Sequence, residues 1–331
     1  MSDAGKLYTI LFVDDEPRIT SALKALFRRE YNVLMADSGR EALQVLSQTN
    51  VDVLVSDQRM PGMMGSELLA TVSQDYPQTM RILLTGFSDR QAIIDSINEG
   101  EVYRFVNKPW DNTAIKELVA EAAAASELPA DTMFLGDGTV VEGGIDHAFV
   151  AATKGKAILM VDRSQETRHQ IHKFCRTREI MIYSTQNFEQ VISAASSREN
   201  IGVVMIELSD HHFEQTIQTI NLLKQARPEL VTIVLTNEYD AETAVDLINQ
   251  GQVFKYLAKP IGLQSLYDSI DSAFRRHLYL KDNMTSQQRY KVDKPKGRIA
   301  ANLQLIFNRL GLTGVKSKAS GEQVGDNHSN F

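Results

Sequence analysis

Apolar and polar positions along this chain alternate in blocks of two different periods. YTILFV (8–13), YNVLMA (31–36), VDVLVS (51–56), MRILLT (80–85) and VYRFV (102–106) are short, nearly unbroken apolar runs. Such runs, rich in β-branched residues, predict strands buried on both faces. Between them the apolar residues fall at helical spacing. Ile19, Leu23, Leu26 and Phe27 share one face of 18–29, and Leu68, Leu69 and Val72 share one face of 65–74. REALQVL (40–46), 89–98 (stopped by Gly100) and the alanine-rich 111–126 complete the set. The order is (βα)5. With short connections and right-handed crossovers it predicts a doubly wound parallel sheet covered on both faces.

The pattern then repeats. KAILMV (156–161) matches YTILFV, IGVVMI (201–206) matches VDVLVS, LVTIVLT (230–236) matches MRILLT, and QGQVFKYLAKP (250–260) matches EGEVYRFVNKP (99–109). Thr85 and Thr236, like Lys108 and Lys259, stand 151 residues apart. Each copy is long enough for its own core, so this is a domain duplication and not a solenoid. The fold class expected is α/β, two tandem doubly wound (βα)5 units of flavodoxin-like type, each with a parallel five-stranded sheet. The divisions expected are 1–126, a linker at 127–155, a second unit at 156–285 and a basic, largely disordered tail at 286–331. The linker holds Pro129 and GDGTVVEGG (136–144), whose glycines do not fit the dinucleotide fingerprint. A small hairpin is its one candidate element. A helix is expected from about 262 to 283 or beyond, with a weaker helical stretch at 299–309.

Charge and composition narrow the function. Of 331 residues, 43% are hydrophobic and 23% charged, the balance of a globular chain. The net charge is −7, yet 286–331 holds eight Lys/Arg against three Asp/Glu, so the body is strongly acidic. That argues against general nucleic-acid binding by the two units. RYKVDKPKGR (289–298) could touch nucleic acid or anionic lipid, but solvated tails of this kind are common. No run approaches the roughly 18 apolar residues of a membrane span. The opening stretch reads as lacking a signal peptide, and a cytoplasmic location follows as the default expectation. A single cysteine, Cys175, excludes a disulfide framework and reads as a small core residue. His169 and His172, spaced i,i+3, read as a solvated face, as do His211 and His212.

In an open parallel sheet, function gathers at the carboxyl ends of the strands. In the first unit those ends carry Asp14 and Asp15, then Asp57, then Thr85, then Lys108 followed by Pro109. Crowded carboxylates repel, and a hard divalent cation relieves them. Mg2+ takes one or two carboxylates together with waters and a phosphate. An exposed carboxylate beside such an ion can attack a phosphoryl group and form an acyl phosphate. Lys108 can pair with a phosphoryl oxygen, and Thr85 can donate a hydrogen bond to another. Taken singly, an Asp-Asp pair is ordinarily a loop or helix cap, and Lys-Pro or Met60-Pro61-Gly62 a turn. All of them at the right strand ends of one unit are not explained that way.

FVDDEP (12–17), SDQRMPGMMG (56–65), LLTG (83–86) and YRFVNKPW (103–110) occur in the order typical of one family. The first unit, nearly all of 6–125, resembles a response-regulator receiver (CheY-like) domain. The resemblance implies that Asp57 is the phosphoacceptor and that Asp14, Asp15, Asp57 and the main-chain carbonyl of Arg59 hold Mg2+. It implies that Thr85 follows the phosphate and couples to Phe105, that Lys108 contacts the phosphoryl group, and that the Lys108–Pro109 bond is cis. The wording is most similar to receivers that precede cyclic-dinucleotide hydrolases or transcription-activator modules.

The second unit resembles a receiver in frame only. Alignment puts Asp162 on Asp14, Arg163 on Asp15, Glu207 on Asp57 and Tyr256 on Phe105, while Thr236 and Lys259 remain. Arg163 would place a cation where a metal ligand belongs. An ordinary Glu207–Arg163 ion pair in a degenerate site is the simpler reading, and a fixed mimic of the modified state, with Glu207 paired to Arg163 or Lys259, stays open. Neither predicts phosphorylation of Glu207. Asp210 is a weaker alternative acceptor.

The expected function is that of a two-component response regulator, not an enzyme, which signals through phosphorylation-dependent protein contacts or dimerisation. A phosphate sink or relay intermediate stays open, as does a transcription or cyclic-dinucleotide regulator whose output lies in a partner protein. After residue 285 only 46 residues follow, which reads as too few for an output domain. The partners expected are a histidine kinase or phosphotransfer protein, a downstream protein target, and a second copy. That copy would dock on the fourth helix, fifth strand and fifth helix, with Arg90, Ile93, Ile94, Ile97, Tyr103 and Trp110. Membrane and nucleic acid are not expected partners.

Overall fold

The computed structural model describes residues 7–86, 93–94, 97–98, 102–129, 146–161, 165–185, 187–208, 213–237, 241–251 and 253–290. Ten strands form two parallel sheets. The first contains β1 (Thr9–Val13), β2 (Asn32–Ala36), β3 (Val53–Asp57), β4 (Met80–Thr85) and β5 (Arg104–Asn107) in the order β2-β1-β3-β4-β5. The second contains β6 (Ala157–Val161), β7 (Met181–Ser184), β8 (Ile201–Glu207), β9 (Val231–Thr236) and β10 (Lys255–Ala258) in the order β10-β9-β8-β6-β7. Both halves therefore have the same doubly wound topology. The apolar runs are explained by it, since every residue of β3 and of β4 is buried.

Helices start where local chemistry can satisfy their first N–H groups. Asp111 Oδ1 accepts from Thr113 and Ala114 ahead of Asn112–Ser126. Ser38 Oγ accepts from Glu41, whose carboxylate returns to the N–H of Asp37. One face of the first sheet packs on the Pro17–Phe27 and Asn112–Ser126 helices through Phe12, Phe27, Ile82, Ile115 and Val119. The matching face of the second packs on Gln165–Thr177 and the long Leu263–Asp282 helix.

The opposite faces of the two sheets join in one continuous apolar cluster. Ile93, Ile94, Ile97 and Phe105 of the first unit and Ala244, Val245, Ile248 and Tyr256 of the second belong to it. This corrects the expectation that the fourth-helix and fifth-strand face is free for a second copy. Ile93, Ile94 and Ile97 are 2–5% exposed, within the chain itself. Arg90 lies outside the described residues.

Two boundaries also change. Part of the expected linker is a helix, His147–Thr153, capped by Asp146 and packed on the long helix through buried Phe149. Its apolar content, HAFVAAT, is too short to show a period. The hairpin expected earlier in that segment lies outside the described residues. At the other end, Ser286–Tyr290 is a 3-10 turn that returns to the Asn112–Ser126 helix. The 299–309 stretch and the basic segment beyond 290 lie outside the described residues.

Candidate functional site

Three of the expected side chains converge at the carboxyl edge of the first sheet. Asp57 ends β3 opposite Leu84. Asp14 follows β1, its N–H donating to the Ala36 carbonyl at 3.2 Å. Lys108 follows β5, its N–H donating to the Thr85 carbonyl at 2.8 Å, and the Lys108–Pro109 bond is cis. Lys108 Nζ lies 2.5 Å from Asp57 Oδ1 and 2.9 Å from Asp14 Oδ2. The remaining oxygens take backbone donors: Asp14 Oδ1 accepts from Glu16 and Asp57 Oδ2 from Arg59, both at 2.9 Å. Burial works to lower the Lys108 pKa, but the hydrogen bonds and charges of Asp57 and Asp14 outweigh it and hold it above its ordinary value.

The other expected residues stand further off. Asp15 is exposed, and among the described residues no three of His, Cys, Asp and Glu form a group that could hold a metal. Arg59 enters through its N–H, whereas the expectation was for its carbonyl. Thr85 is buried, and its hydroxyl donates to the Gly86 carbonyl at 3.3 Å. Phe105 is buried on β5 opposite Leu83. The donors nonetheless suit a hard cation, since they are carboxylate and carbonyl oxygens and two of the carboxylates are already drawn onto one ammonium.

Gly65 and Gln58 help position the acceptor and were missed. The helix Gly65–Asp75 begins against the acceptor itself, and a Cβ at Gly65 would lie 2.1 Å from the Asp57 carbonyl oxygen. Gln58 pins the loop by accepting from the Ser66 N–H at 3.0 Å and donating to Ser66 Oγ at 3.1 Å. A glycine at the first helical position, where one is poorly favoured, was the available signal.

In the second unit, Glu207 ends β8 opposite Leu235, the register that Asp57 has against Leu84. Its Oε1 lies 2.6 Å from Lys259 Nζ. The Lys259 N–H donates to the Thr236 carbonyl at 2.7 Å, and the Lys259–Pro260 bond is cis. Tyr256 is buried at the place of Phe105. Asp162, Arg163 and Asp210 lie outside the described residues. The register of β6 against β8 shifts at Gly202, since Ala157 pairs with Ile201 but Ile158 with Val203. A Cβ at Gly202 would meet the ring of buried His277 at 2.5 Å.

Comparison with known proteins agrees with the first site. The family model described as "Response regulator receiver domain" matches residues 10–120. The hydrogenase transcriptional regulatory protein HoxA of Cupriavidus necator is 38% identical over 131 residues, which is 40% of this chain and 27% of that protein. The DNA-binding transcriptional regulator NtrC of Klebsiella pneumoniae is 37% identical over 109 residues, 33% of this chain and 22% of that protein. The chain thus spans about a quarter of the length of these relatives. A signal receiver domain of an HD domain-containing protein from Pseudomonas fluorescens Pf-5 is 37% identical, covering 37% of this chain and 98% of that one, with a TM-score of 0.36. No helix among the described residues is long and apolar enough to cross a membrane. Residues 10–120 of this chain belong to the response-regulator receiver family.

Proposed function

We propose that the chain is a two-component response regulator whose Asp57 accepts a phosphoryl group from a histidine kinase or phosphotransfer protein. The convergence of Lys108 on Asp57 and Asp14 is the observation that carries this reading. A carboxylate oxygen of Asp57 attacks the phosphorus of a phosphohistidine. The P–N bond breaks, an acyl phosphate forms, and the imidazole leaves to take up a proton. Lys108 then exchanges a carboxylate for a phosphoryl oxygen at nearly constant charge balance. Thr85, one strand over, can turn its hydroxyl from Gly86 towards the phosphoryl group, and Phe105 follows. A bound Mg2+ would neutralise phosphoryl charge, with Asp14 and Asp57 as its nearest donors and Asp15 and the Arg59 carbonyl as further ones.

The second unit is read as a degenerate receiver-like domain. Its matching strand order, cis Lys259–Pro260 and the Glu207 register support that reading. At the acceptor position stands Glu207, held by Lys259, while its expected partner Arg163 lies outside the described residues. The chain acts in this reading by protein contact and not as an enzyme, in the cytoplasm where such donors work. The relatives named as transcriptional regulators favour an output on transcription, reached through a partner or through nucleic acid.

The test is an intact mass after incubation with Mg2+ and a small-molecule phosphodonor, beside Asp57→Asn. One labile phosphate, absent from the variant, is expected. Two phosphates, or one that persists in the variant, would overturn the assignment.

A further inference from the structure

The two units are joined by a pair of side chains that no motif singled out. Asn98 and Asn249 are 151 residues apart, as are Phe105 and Tyr256. Asn249 Nδ2 donates to the Phe105 carbonyl at 2.9 Å, and the Phe105 N–H donates to Asn249 Oδ1 at 2.9 Å. Asn98 Nδ2 donates to the Tyr256 carbonyl at 2.9 Å, and the Tyr256 N–H donates to Asn98 Oδ1 at 3.0 Å. Lys255 Nζ adds a bond to the Asn98 carbonyl. The joint is therefore reciprocal, each unit giving an asparagine and receiving one.

A carboxamide presents a donor and an acceptor side by side, as a peptide group does. β5 and β10 are edge strands of their sheets. Each asparagine thus stands where a sixth strand would pair, and closes an edge otherwise open to other chains. The residues it grips are particular ones. Phe105 and Tyr256 each precede a cis Lys-Pro bond by three residues. Four-residue β5 bears the gripped residue and leads straight into Lys108, whose ammonium is on Asp57. A shift of Lys108 or Phe105 has one short strand to cross before it reaches Asn249.

We propose that the second unit is a built-in regulator of the first: the asparagine joint couples the chemical state of Asp57 to the packing of the second unit on the β5 face of the same chain. This rests on the reading of Asp57 as phosphoacceptor. Coupling between two equilibria is reciprocal, so the factor by which the joint alters ligand binding at Asp57 is the factor by which that ligand alters the joint.

The experiment uses the full chain, Mg2+ and beryllium trifluoride as a phosphoryl analogue that binds reversibly. Without analogue, amide exchange should show Asn249→Ala deprotecting Phe105 and Asn98→Ala deprotecting Tyr256. Asn249→Asp keeps the acceptor for the Phe105 N–H and loses the donor, so it should fall between. In each alanine variant the affinity for the analogue should change by about five-fold or more. In the wild type the analogue should change exchange at Tyr256, in the other unit, by a matching factor. Analogue that binds wild type and both variants equally would overturn the coupling. Protection of Phe105 and Tyr256 that survives both substitutions would overturn the joint. Analogue that fails to bind wild type would overturn the Asp57 reading and the coupling with it, while exchange still judges the joint.

Discussion

The two pockets have one frame and different residues at the acceptor position. In the first, two carboxylates face one lysine, so Asp14, Asp57 and Lys108 together remain anionic. In the second, Glu207 pairs with Lys259 among the described residues, and the counterpart of Asp14, Asp162, lies outside them. The strand register, the lysine N–H on the threonine carbonyl and the cis Lys-Pro bond are the same in both. Carboxylates that outnumber their lysine attract a cation and an electrophile, while the Glu207–Lys259 pair holds two strand ends together. The fold supplies the edge, and one or two residue identities decide whether chemistry happens there.

The largest expected break in this comparison is at the glycines beside the acceptor strands. Gly65→Ala would put a Cβ 2.1 Å from a backbone oxygen of Asp57 and 2.9 Å from Leu83. Neither can give way without moving the acceptor, so a loss of at least about 3 kcal/mol is expected, and phosphate uptake with it. Gly202→Ala meets only the His277 ring, which can tilt, and should cost about 1–3 kcal/mol with Asp57 chemistry untouched. Urea unfolding and phosphorylation of both variants separate the two cases. Equal phosphate uptake in Gly65→Ala would show that the Gly65–Asp75 helix does not position Asp57.

The lysines come next. Lys108→Met leaves two carboxylates facing each other, Asp14 buried and Asp57 nearly so. About 2–4 kcal/mol of stability should go, and the acceptor chemistry should fall steeply. Lys259→Met takes the ammonium away from one carboxylate, Glu207, whose side chain is 15% exposed. It should cost about 1–3 kcal/mol, and adding Glu207→Met should return much of that. A double variant no more stable than the single one would mean that Glu207 is held by more than the lysine.

Much of this was legible in sequence because the signals are local. Asp14, Asp57 and Lys108 each follow an apolar strand directly, and parallel topology alone carries such residues to one edge. Glu207 could be aligned with Asp57 because its strand keeps the apolar run, whereas the register shift at Gly202 shows only in the strand pairing. The joint was not legible. Asn98 and Asn249 sit in ordinary helical stretches, and their role depends on two edge strands meeting. The retained asparagine at the 151-residue offset was the one hint. The His147–Thr153 helix was missed because it is stabilised by Asp146 and the long helix, not by its own pattern. Asp15 matched its motif, yet it stands exposed and outside any group of three.

Acid separates the units by a smaller amount. All seven histidines lie beyond residue 126, and His277 is fully buried. Its Nδ1 faces the Glu229 carbonyl at 2.9 Å, while Nε2 has no hydrogen-bond partner among the described residues. Burial pushes its pKa from 6.5 to about 4. Between those values only the unfolded chain takes up the proton, so stability is lost as pH falls from about 6.5 and is unaffected above it. At pH 5.5 the loss is about 1.4 kcal/mol. Amide exchange of β8 should reflect it, and His277→Leu should flatten the step. A step of equal size in β3 that survives His277→Leu would place the sensitivity elsewhere.

The smallest difference lies in how each unit fastens its outermost piece. In the first, Lys116 and Glu30 form an exposed pair at 2.7 Å, tying the Asn112–Ser126 helix to the turn that follows the Pro17–Phe27 helix, two helices already held by their own core. In the second, Arg275 stacks on the Phe149 ring at 4.0 Å and pairs with Asp146 at 3.0 Å. It thus grips the one helix that has no counterpart in the first unit. Salt weakens exposed ion pairs, but a cation over a buried ring keeps its contact. Lys116→Ala should therefore leave amide exchange in its helices unchanged. Arg275→Ala should speed exchange of the Phe149 N–H, which rests on Asp146 Oδ1, by about two- to five-fold. The larger part of that change should persist in high salt, since it comes from the ring and not from the carboxylate. An effect that disappears entirely in salt would assign the fastening to Asp146 alone, and the short helix would then be held by charge rather than by packing.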